Sequence, residues 1–156
     1  MVHEGWEIPQ RNELSMLLKQ LAKAVIDAGP PPWDEKEILD SRYVITDLVD
    51  DMRAPRSRHE LMATAARLYP LLADHYLRSR QLWSARGKSI PRRLNSISAE
   101  FGGVFCESFR AVFEEAGTAK LIALCEEVLR PSGGWLFAGH LLHAPQSWRW
   151  AEGKPP

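Results

Sequence analysis

The sequence predicts an all-α protein: a bundle of about five to six helices in an up-down arrangement, with no sheet. Apolar residues recur at three- and four-residue steps through most of the chain, the spacing of helices that bury one face. No stretch shows a convincing two-residue alternation of apolar and polar residues, so no strand is predicted. Glycines and prolines divide the 156 residues into helix-length segments, which together are long enough for one domain with a core.

The first predicted helix covers about 11–28. Five aliphatic residues recur on its apolar side: Leu14, Leu17, Leu18, Leu21 and Val25. Gly29 and the prolines at 30–32 end it, because glycine tolerates left-handed geometry and proline cannot continue the hydrogen-bond ladder.

The second predicted helix opens at Asp34, which stands three residues before Glu37 as in a capping box, and closes at Pro55. Its predicted buried stripe is Ile38, Ile45, Leu48, Val49 and Met52.

The third predicted helix covers about 57–85, with a kink at Pro70. Its predicted apolar face is Leu61, Ala65, Leu68, Tyr69, Leu72, Tyr76 and Trp83.

Three more helices are predicted after residue 87. After Gly87 and Pro91, a short basic helix is predicted at 92–97. The fifth, at about 99–116, has an apolar side of Phe101, Phe105, Phe109, Val112 and Phe113. Gly102 and Gly103 weaken its start but permit the close approach of another helix. The sixth, at 118–129, carries Leu121, Leu124, Cys125 and Val128.

We expect a single domain. The N-terminal helix and Pro-rich linker (1–33) belong to the same unit as the bundle (34–148), and 149–156 form a disordered tail. No apolar run approaches the roughly 20 residues of a membrane span. The first ten residues do not resemble a signal peptide, so a cytoplasmic location is expected. Cys106 and Cys125 are expected to be buried free thiols.

Common catalytic signatures are absent from the sequence. It has no Gly-rich phosphate loop, no Gly-x-Ser-x-Gly elbow and no His-Glu-x-x-His. His140 and His143 form a lone His-x-x-His without an obvious further ligand set. No catalytic residue, metal ligand or cofactor of the chain itself is therefore predicted. Twenty basic and twenty acidic residues cancel, so the overall charge does not favour nucleic acid as a partner.

The second helix carries an acidic band. At about 100° per residue, Asp40, Asp47 and Asp51 fall on one narrow face, with Asp50 beside it. Such carboxylates could hold magnesium or accept hydrogen bonds from an amine-bearing substrate. The alternative is a solvated helix face.

A second cluster is basic, because no acid occurs between 75 and 99. Its six cations are Arg78, Arg80, Arg86, Lys88, Arg92 and Arg93. They could bind nucleotide phosphates or the acidic helix of a partner. The alternatives are cations favoured by a helix C-terminus and a surface pair of Arg78 with Asp74.

Arg53 and His59 superficially match the Arg-x(4–6)-His signature of helical ribonucleases of the HEPN class. Pro55 breaks the segment between them, so the two side chains would not share one helical face. His75, at the edge of the third helix's buried stripe, is a better-placed histidine. A helical ribonuclease or toxin remains an alternative, and so does an interaction protein that docks a partner through Trp135, Trp148 and Trp150.

Three segments together resemble the helical C-terminal, substrate-binding region of bacterial nucleotidyltransferase-like proteins. They are residues 42–51 (RYVITDLVDD), residues 77–83 with 87–94 (LRSRQLW and GKSIPRRL), and residues 129–137 (LRPSGGWLF). The resemblance spans about 38–148. The catalytic domain of that superfamily carries a Gly-Ser pair and an Asp-x-Asp that binds magnesium and triphosphate, and this sequence has neither.

The resemblance implies a non-catalytic domain that binds a small polar substrate or a nucleotidyltransferase catalytic chain. Magnesium-nucleotide would enter only with that partner, and a homodimer is an alternative assembly. The expected substrate-binding residues are Asp47, Asp50 and Asp51 for the polar substrate, Trp83 against a ring, and Arg78, Arg80, Lys88, Arg92 and Arg93 toward the nucleotide or partner.

Overall fold

The computed structural model describes residues 12–139, and these residues form six α-helices and no strand. The helices are α1 (Glu13–Ala28), α2 (Glu35–Arg53), α3 (Arg58–Arg78), α4 (Ser89–Ile97), α5 (Ala99–Glu115) and α6 (Ala119–Leu129). One turn of 3₁₀ helix, Arg130–Ser132, follows α6. The predicted all-α fold is confirmed. The tail predicted at 149–156 lies outside the described residues.

Four helices begin at a side-chain cap, which satisfies a backbone N–H that has no partner within the helix. The caps are Asn12, Asp34, Ser57 and Ser98. The capping box predicted at α2 is confirmed. Asp34 accepts the N–H of Glu37 at 2.7 Å, and the Glu37 carboxylate accepts the N–H of Asp34 at 2.8 Å.

Helix α3 passes through Pro70 but ends at Arg78, seven residues before the predicted end at Ala85. Gln81 takes a left-handed conformation (φ 55°), and its N–H bonds the carbonyl of Arg78 at 3.0 Å. The N–H of Leu82 returns to the carbonyl of Leu77 at 2.9 Å. These two bonds form a Schellman motif, which ends the helix without a glycine.

Helix α4 begins at Ser89, three residues earlier than predicted. Pro91 therefore lies in its first turn. A proline is tolerated there because the first N–H groups of a helix have no acceptor within it.

The core lies where α2, α3, α5 and α6 pack together, and α4 adds Ile90 and Leu94. The predicted stripe of α2 is buried, except that Ile38 is only half-buried. Tyr69 of α3 packs edge-on between two rings of α5, with centroid distances of 4.9 Å to Phe105 and 4.7 Å to Phe109.

Gly102 brings α5 against α4, as the sequence predicts for a glycine pair. A Cβ at Gly102 would lie 2.0 Å from the side-chain oxygen of Asn95 and 2.9 Å from its backbone nitrogen. A Cβ at Gly103 would meet nothing within 4 Å, so only one of the two glycines serves this contact.

Helix α1 contrasts with the rest, because it contains no buried residue. The aliphatic residues predicted on its apolar side are each between 48% and 66% exposed: Leu14, Leu17, Leu18, Leu21 and Val25.

Both cysteines are free thiols, as predicted. Cys125 is fully buried in α6, and burial raises the pKa of its thiol to about 12. Cys106 is half-buried in α5. Among the helices described, none combines the length and the apolar character that a membrane crossing requires.

Candidate binding surfaces

Two of the predicted acidic residues line an open cleft of about 530 Å³ between the end of α2 and the start of α3. They are Asp50 and Asp51, and α3 adds a third carboxylate, Glu60. The remaining lining residues are Ala54, Pro55, Arg56, Ala63 and Thr64. Three carboxylates against one arginine give this acidic cleft a negative lining.

The other two members of the predicted acidic band lie outside the cleft lining. Asp47 is exposed one turn before Asp51, on the same side of α2. Asp40 is half-buried and forms an ion pair with Lys36 at 2.5 Å. The acidic face of α2 is thus divided between a paired N-terminal part and an exposed C-terminal part.

The cleft carboxylates keep most of their hydrogen-bonding capacity. Asp50 lies 3.7 Å from the guanidinium of Arg53, and both side chains are exposed. Glu60 accepts the backbone N–H of Arg56 at 3.1 Å. Asp51 makes no side-chain hydrogen bond or ion pair with a described residue.

Arg78, predicted to face an anion, holds the linker that precedes α2. Its guanidinium donates to the carbonyl of Pro31 at 2.8 Å and lies 5.6 Å from the centroid of the Trp33 ring. Trp83 has a similar role, because its indole N–H donates to the carbonyl of Ile26 at 3.1 Å. Both residues therefore fasten α1 and its linker to the end of α3.

Arg80 lies over the ring of Tyr76, 4.0 Å from the centroid. Its Nη1 donates to the carbonyl of Tyr76 at 3.0 Å and to the hydroxyl of Ser79 at 3.3 Å. The acidic cleft reaches α3 at residues 60–64, so roughly 20 Å of helix separates it from Arg78 and Arg80. The predicted acidic and basic residues do not share one small pocket.

The other predicted cations lie at the start of α4. Lys88 and Arg92 are exposed and Arg93 is half-buried. None of the three side chains forms a hydrogen bond or ion pair with a described residue, so this turn is a solvated basic surface.

His75 is fully buried rather than at the edge of the core, where the sequence placed it. Its Nδ1 lies 2.9 Å from the hydroxyl of Ser41 on α2, and its Nε2 lies 3.1 Å from the hydroxyl of Ser132. Burial, and then the charges of Arg80 and Arg42, lower the pKa of His75 to about 4. The ring is therefore neutral at pH 7, and joins three separate segments of the chain.

A second connection that sequence reasoning missed starts from Arg42 of α2. Its guanidinium donates to the carbonyls of Gly133 at 2.8 Å and Gly134 at 2.9 Å. One turn later, the Thr46 hydroxyl accepts the N–H of Leu136 at 3.1 Å. Residues 133–136 are thus fixed along α2. A long-range contact of this kind leaves no local signal in the sequence.

The residues considered for ribonuclease activity lie on two helices, Arg53 on α2 and both His59 and His75 on α3. Arg53 ends α2 with its guanidinium 5.7 Å from the centroid of the Trp135 ring, whereas His59 is exposed at the start of α3. His75 is shielded from solvent by the contacts described above.

No group of three His, Cys, Asp or Glu side chains within residues 12–139 is arranged to hold a metal ion. His140 and His143 lie outside the described residues, as do Trp148 and Trp150. Comparison with protein family models, with curated proteins and with solved structures finds no match to this chain.

Proposed function

We propose that this protein is a non-catalytic binding domain of the nucleotidyltransferase substrate-binding type, and that α1 docks its protein partner. The observation that carries the proposal is the apolar face of α1, defined as Leu14, Leu17, Leu18, Leu21 and Val25. At about 100° per residue these side chains fall within roughly 100° of arc. All five are about half exposed or more.

The charges of α1 lie away from this apolar face. Lys23 and Asp27 pair with each other at 2.5 Å on the other side of the helix. Together the five side chains expose on the order of 500 Å², near the upper end for the largest apolar patch of a monomer. The largest apolar patch of a monomer is often a functional surface.

The attachment of α1 presents this face in a set direction. The indole of Trp83 bonds the carbonyl of Ile26, and Arg78 bonds the carbonyl of Pro31. Gly29, with φ 74°, passes so close that a Cβ would lie 2.9 Å from the carbonyl oxygen of Gln81. A helix held at its C-terminal end with one apolar side uncovered suits helix-in-groove recognition by a partner.

The nucleotidyltransferase part of the proposal rests on the three resembling segments. In the structure, residues 42–51 contact residues 129–137 through Arg42 and Thr46. The sequence lacks the Gly-Ser and Asp-x-Asp motifs, so nucleotidyl transfer requires a separate catalytic domain that supplies metal-bound phosphates. A nucleotidyltransferase catalytic chain is therefore the proposed partner.

The test uses a double variant that carries both Leu17→Glu and Leu21→Glu. Its binding is compared with that of the single variant Met16→Glu. Met16 is also 48% exposed but lies on the opposite side of α1, so it controls for charge and helix propensity. Binding is measured by calorimetry against nucleotidyltransferase catalytic chains of the same organism. Sedimentation of the chain alone measures self-association. We expect the double variant to lose binding and the Met16 variant to keep it. The proposal would be refuted if the wild-type protein bound none of these catalytic chains, or if the double variant bound them as tightly as the wild type does.

The acidic cleft supports a second candidate, the binding of a small amine-bearing substrate. Its three carboxylates, Asp50, Asp51 and Glu60, face a volume within the range of small-molecule sites. Spermidine serves as the probe in calorimetry, with and without magnesium and nucleoside triphosphate.

We expect the combined Asp50→Asn and Asp51→Asn variant, which neutralises two of the three lining carboxylates, to lose spermidine binding while its helicity stays unchanged. Glu35→Gln, at the far end of α2, is the control and should bind normally. Equal affinity of the wild-type and double-variant proteins would exclude the acidic cleft as the site.

A further inference from the structure

A second cleft, of about 330 Å³, lies where the ends of α3, α5 and α6 meet. Its apolar lining comes from Tyr76, Phe101, Val104 and Leu124. Its polar lining is Ser98 and three charged residues: Arg80, Glu100 and Glu127. This mixed cleft shares no residue with the acidic cleft or with the apolar face of α1.

The three charged side chains of the mixed cleft do not neutralise one another. Arg80 forms no ion pair with Glu100, Glu127 or any other described residue. Neither glutamate makes a side-chain hydrogen bond within residues 12–139. Opposite charges that line one cleft without pairing leave both a cationic and an anionic group available to a ligand.

Arg80 is held in place by the rings beneath it. The Tyr76 ring stacks on Phe101 with centroids 3.6 Å apart and 8° between the planes, and Arg80 lies 4.0 Å from the Tyr76 centroid. Only Nη1 of its guanidinium is used in hydrogen bonds, so Nε and Nη2 remain as donors. A planar donor pair fixed in this way matches a carboxylate.

The apolar lining determines what the rest of the ligand must be. Val104 is 48% exposed, although Phe101 and Leu124 beside it are more deeply covered. Burying an aliphatic or aromatic group against these side chains is favourable, and the volume suits a small molecule.

We propose that the mixed cleft binds a free amino acid with an apolar or aromatic side chain. Arg80 receives the carboxylate, Glu100 and Glu127 receive the ammonium group, and Phe101 with Val104 contacts the side chain. The carboxylate, the ammonium group and the side chain of the amino acid thus contact the cationic, the anionic and the apolar part of the lining, respectively. This site depends neither on the proposed partner of α1 nor on the acidic cleft.

The first experiment is calorimetry with three related probes. L-Phenylalanine carries both charges, phenethylamine lacks the carboxylate and 3-phenylpropionate lacks the ammonium group. We expect L-phenylalanine to bind, and each of the other two to bind about tenfold more weakly, since each loses one charge-assisted contact. If phenethylamine bound as tightly as L-phenylalanine, Arg80 would not contribute to the site. If none of the three probes bound, the proposal would be overturned.

Variants locate the site. Glu127→Gln should weaken L-phenylalanine binding about tenfold, whereas Glu126→Gln, exposed beside it but outside the lining, should not change it. Val104→Trp fills the mixed cleft from an exposed position and should abolish binding without entering the core. Circular dichroism confirms that each variant is folded. Unchanged affinity in both Glu127→Gln and Val104→Trp would place the amino acid elsewhere and refute the assignment.

Discussion

The side chain of Asn95 fills the space in which a Cβ of Gly102 would lie, with its oxygen 2.0 Å from that position. The backbone nitrogen of Asn95 lies 2.9 Å from the same point, so a rotation of the side chain alone could not make room. The distance between α4 and α5 is therefore set by the absence of one carbon atom.

Gly102→Ala should lower the free energy of unfolding by about 1–3 kcal/mol, the usual effect of forcing extra atoms into a packed contact. Gly103→Ala is the matched control, because its Cβ would meet no atom within 4 Å. It should raise stability by about 0.5–1 kcal/mol, since alanine has the higher helix propensity. Urea unfolding measures both variants. Equal effects of the two substitutions would contradict the contact between α4 and α5.

His75 should make the protein sensitive to mild acid. Its folded pKa of about 4 lies below the ordinary value of 6.5, so the unfolded chain binds the additional proton between these two values. The stability contributed by neutral His75 is fully present above pH 6.5 and is lost as pH falls toward 4. We expect a loss of about 2 kcal/mol by pH 5 in urea unfolding. His75→Asn should reduce this dependence of the unfolding free energy on pH. His59→Asn, at an exposed position, should leave the pH dependence unchanged. If His75→Asn kept the full pH dependence of the unfolding free energy, groups other than His75 would be its cause.

Arg42→Lys should loosen the segment that follows α6. A lysine cannot reproduce the two guanidinium bonds to Gly133 and Gly134, and we expect a loss of about 1–3 kcal/mol. Hydrogen exchange should become faster at the amide of Leu136, which bonds Thr46. Arg53→Lys is the control, because Arg53 contacts the same segment only through the rings of Trp135 and Phe137. Unchanged exchange in Arg42→Lys would show that the carbonyl contacts do not hold the segment.

The apolar face of α1 should contribute little to the stability of the isolated chain. Leu14→Ala and Leu21→Ala replace side chains that are 66% and 62% exposed, so each should change the unfolding free energy by less than about 0.5 kcal/mol. Leu68→Ala replaces a fully buried side chain of α3 and should lower it by about 2–5 kcal/mol. A large loss in the α1 variants would mean that another surface already covers this helix in solution.

Local sequence signals predicted the helices well where the ends are encoded locally. Asp34 and Glu37 fix the start of α2 through their own side chains, and Gly29 closes α1 with a positive φ. The end of α3 was missed because Gln81, not glycine, takes the left-handed position. The start of α4 was missed because Pro91 fits within the first turn of a helix as well as before it.

The candidate sites were less predictable because charge patterns do not reveal tertiary partners. Asp50 and Asp51 were predicted as an acidic surface, and they do line a cleft. Arg78 belonged to an equally clear basic pattern, but it bonds a linker carbonyl 47 positions away. The burial of His75 depends on Ser41 and Ser132, which only the folded chain brings together.

Because Cys125 is buried, the reactivity of its thiol reports how often α6 separates from the helices around it. A thiol that is fully shielded, with a pKa of about 12, cannot react with a maleimide until α6 separates from its neighbours. In protein carrying Cys106→Ser, the labelling rate at neutral pH therefore measures how often that separation occurs. A ligand in the mixed cleft that stabilises the packing of α3, α5 and α6 would slow this labelling. A single alkylation time course therefore measures whether the mixed cleft is occupied.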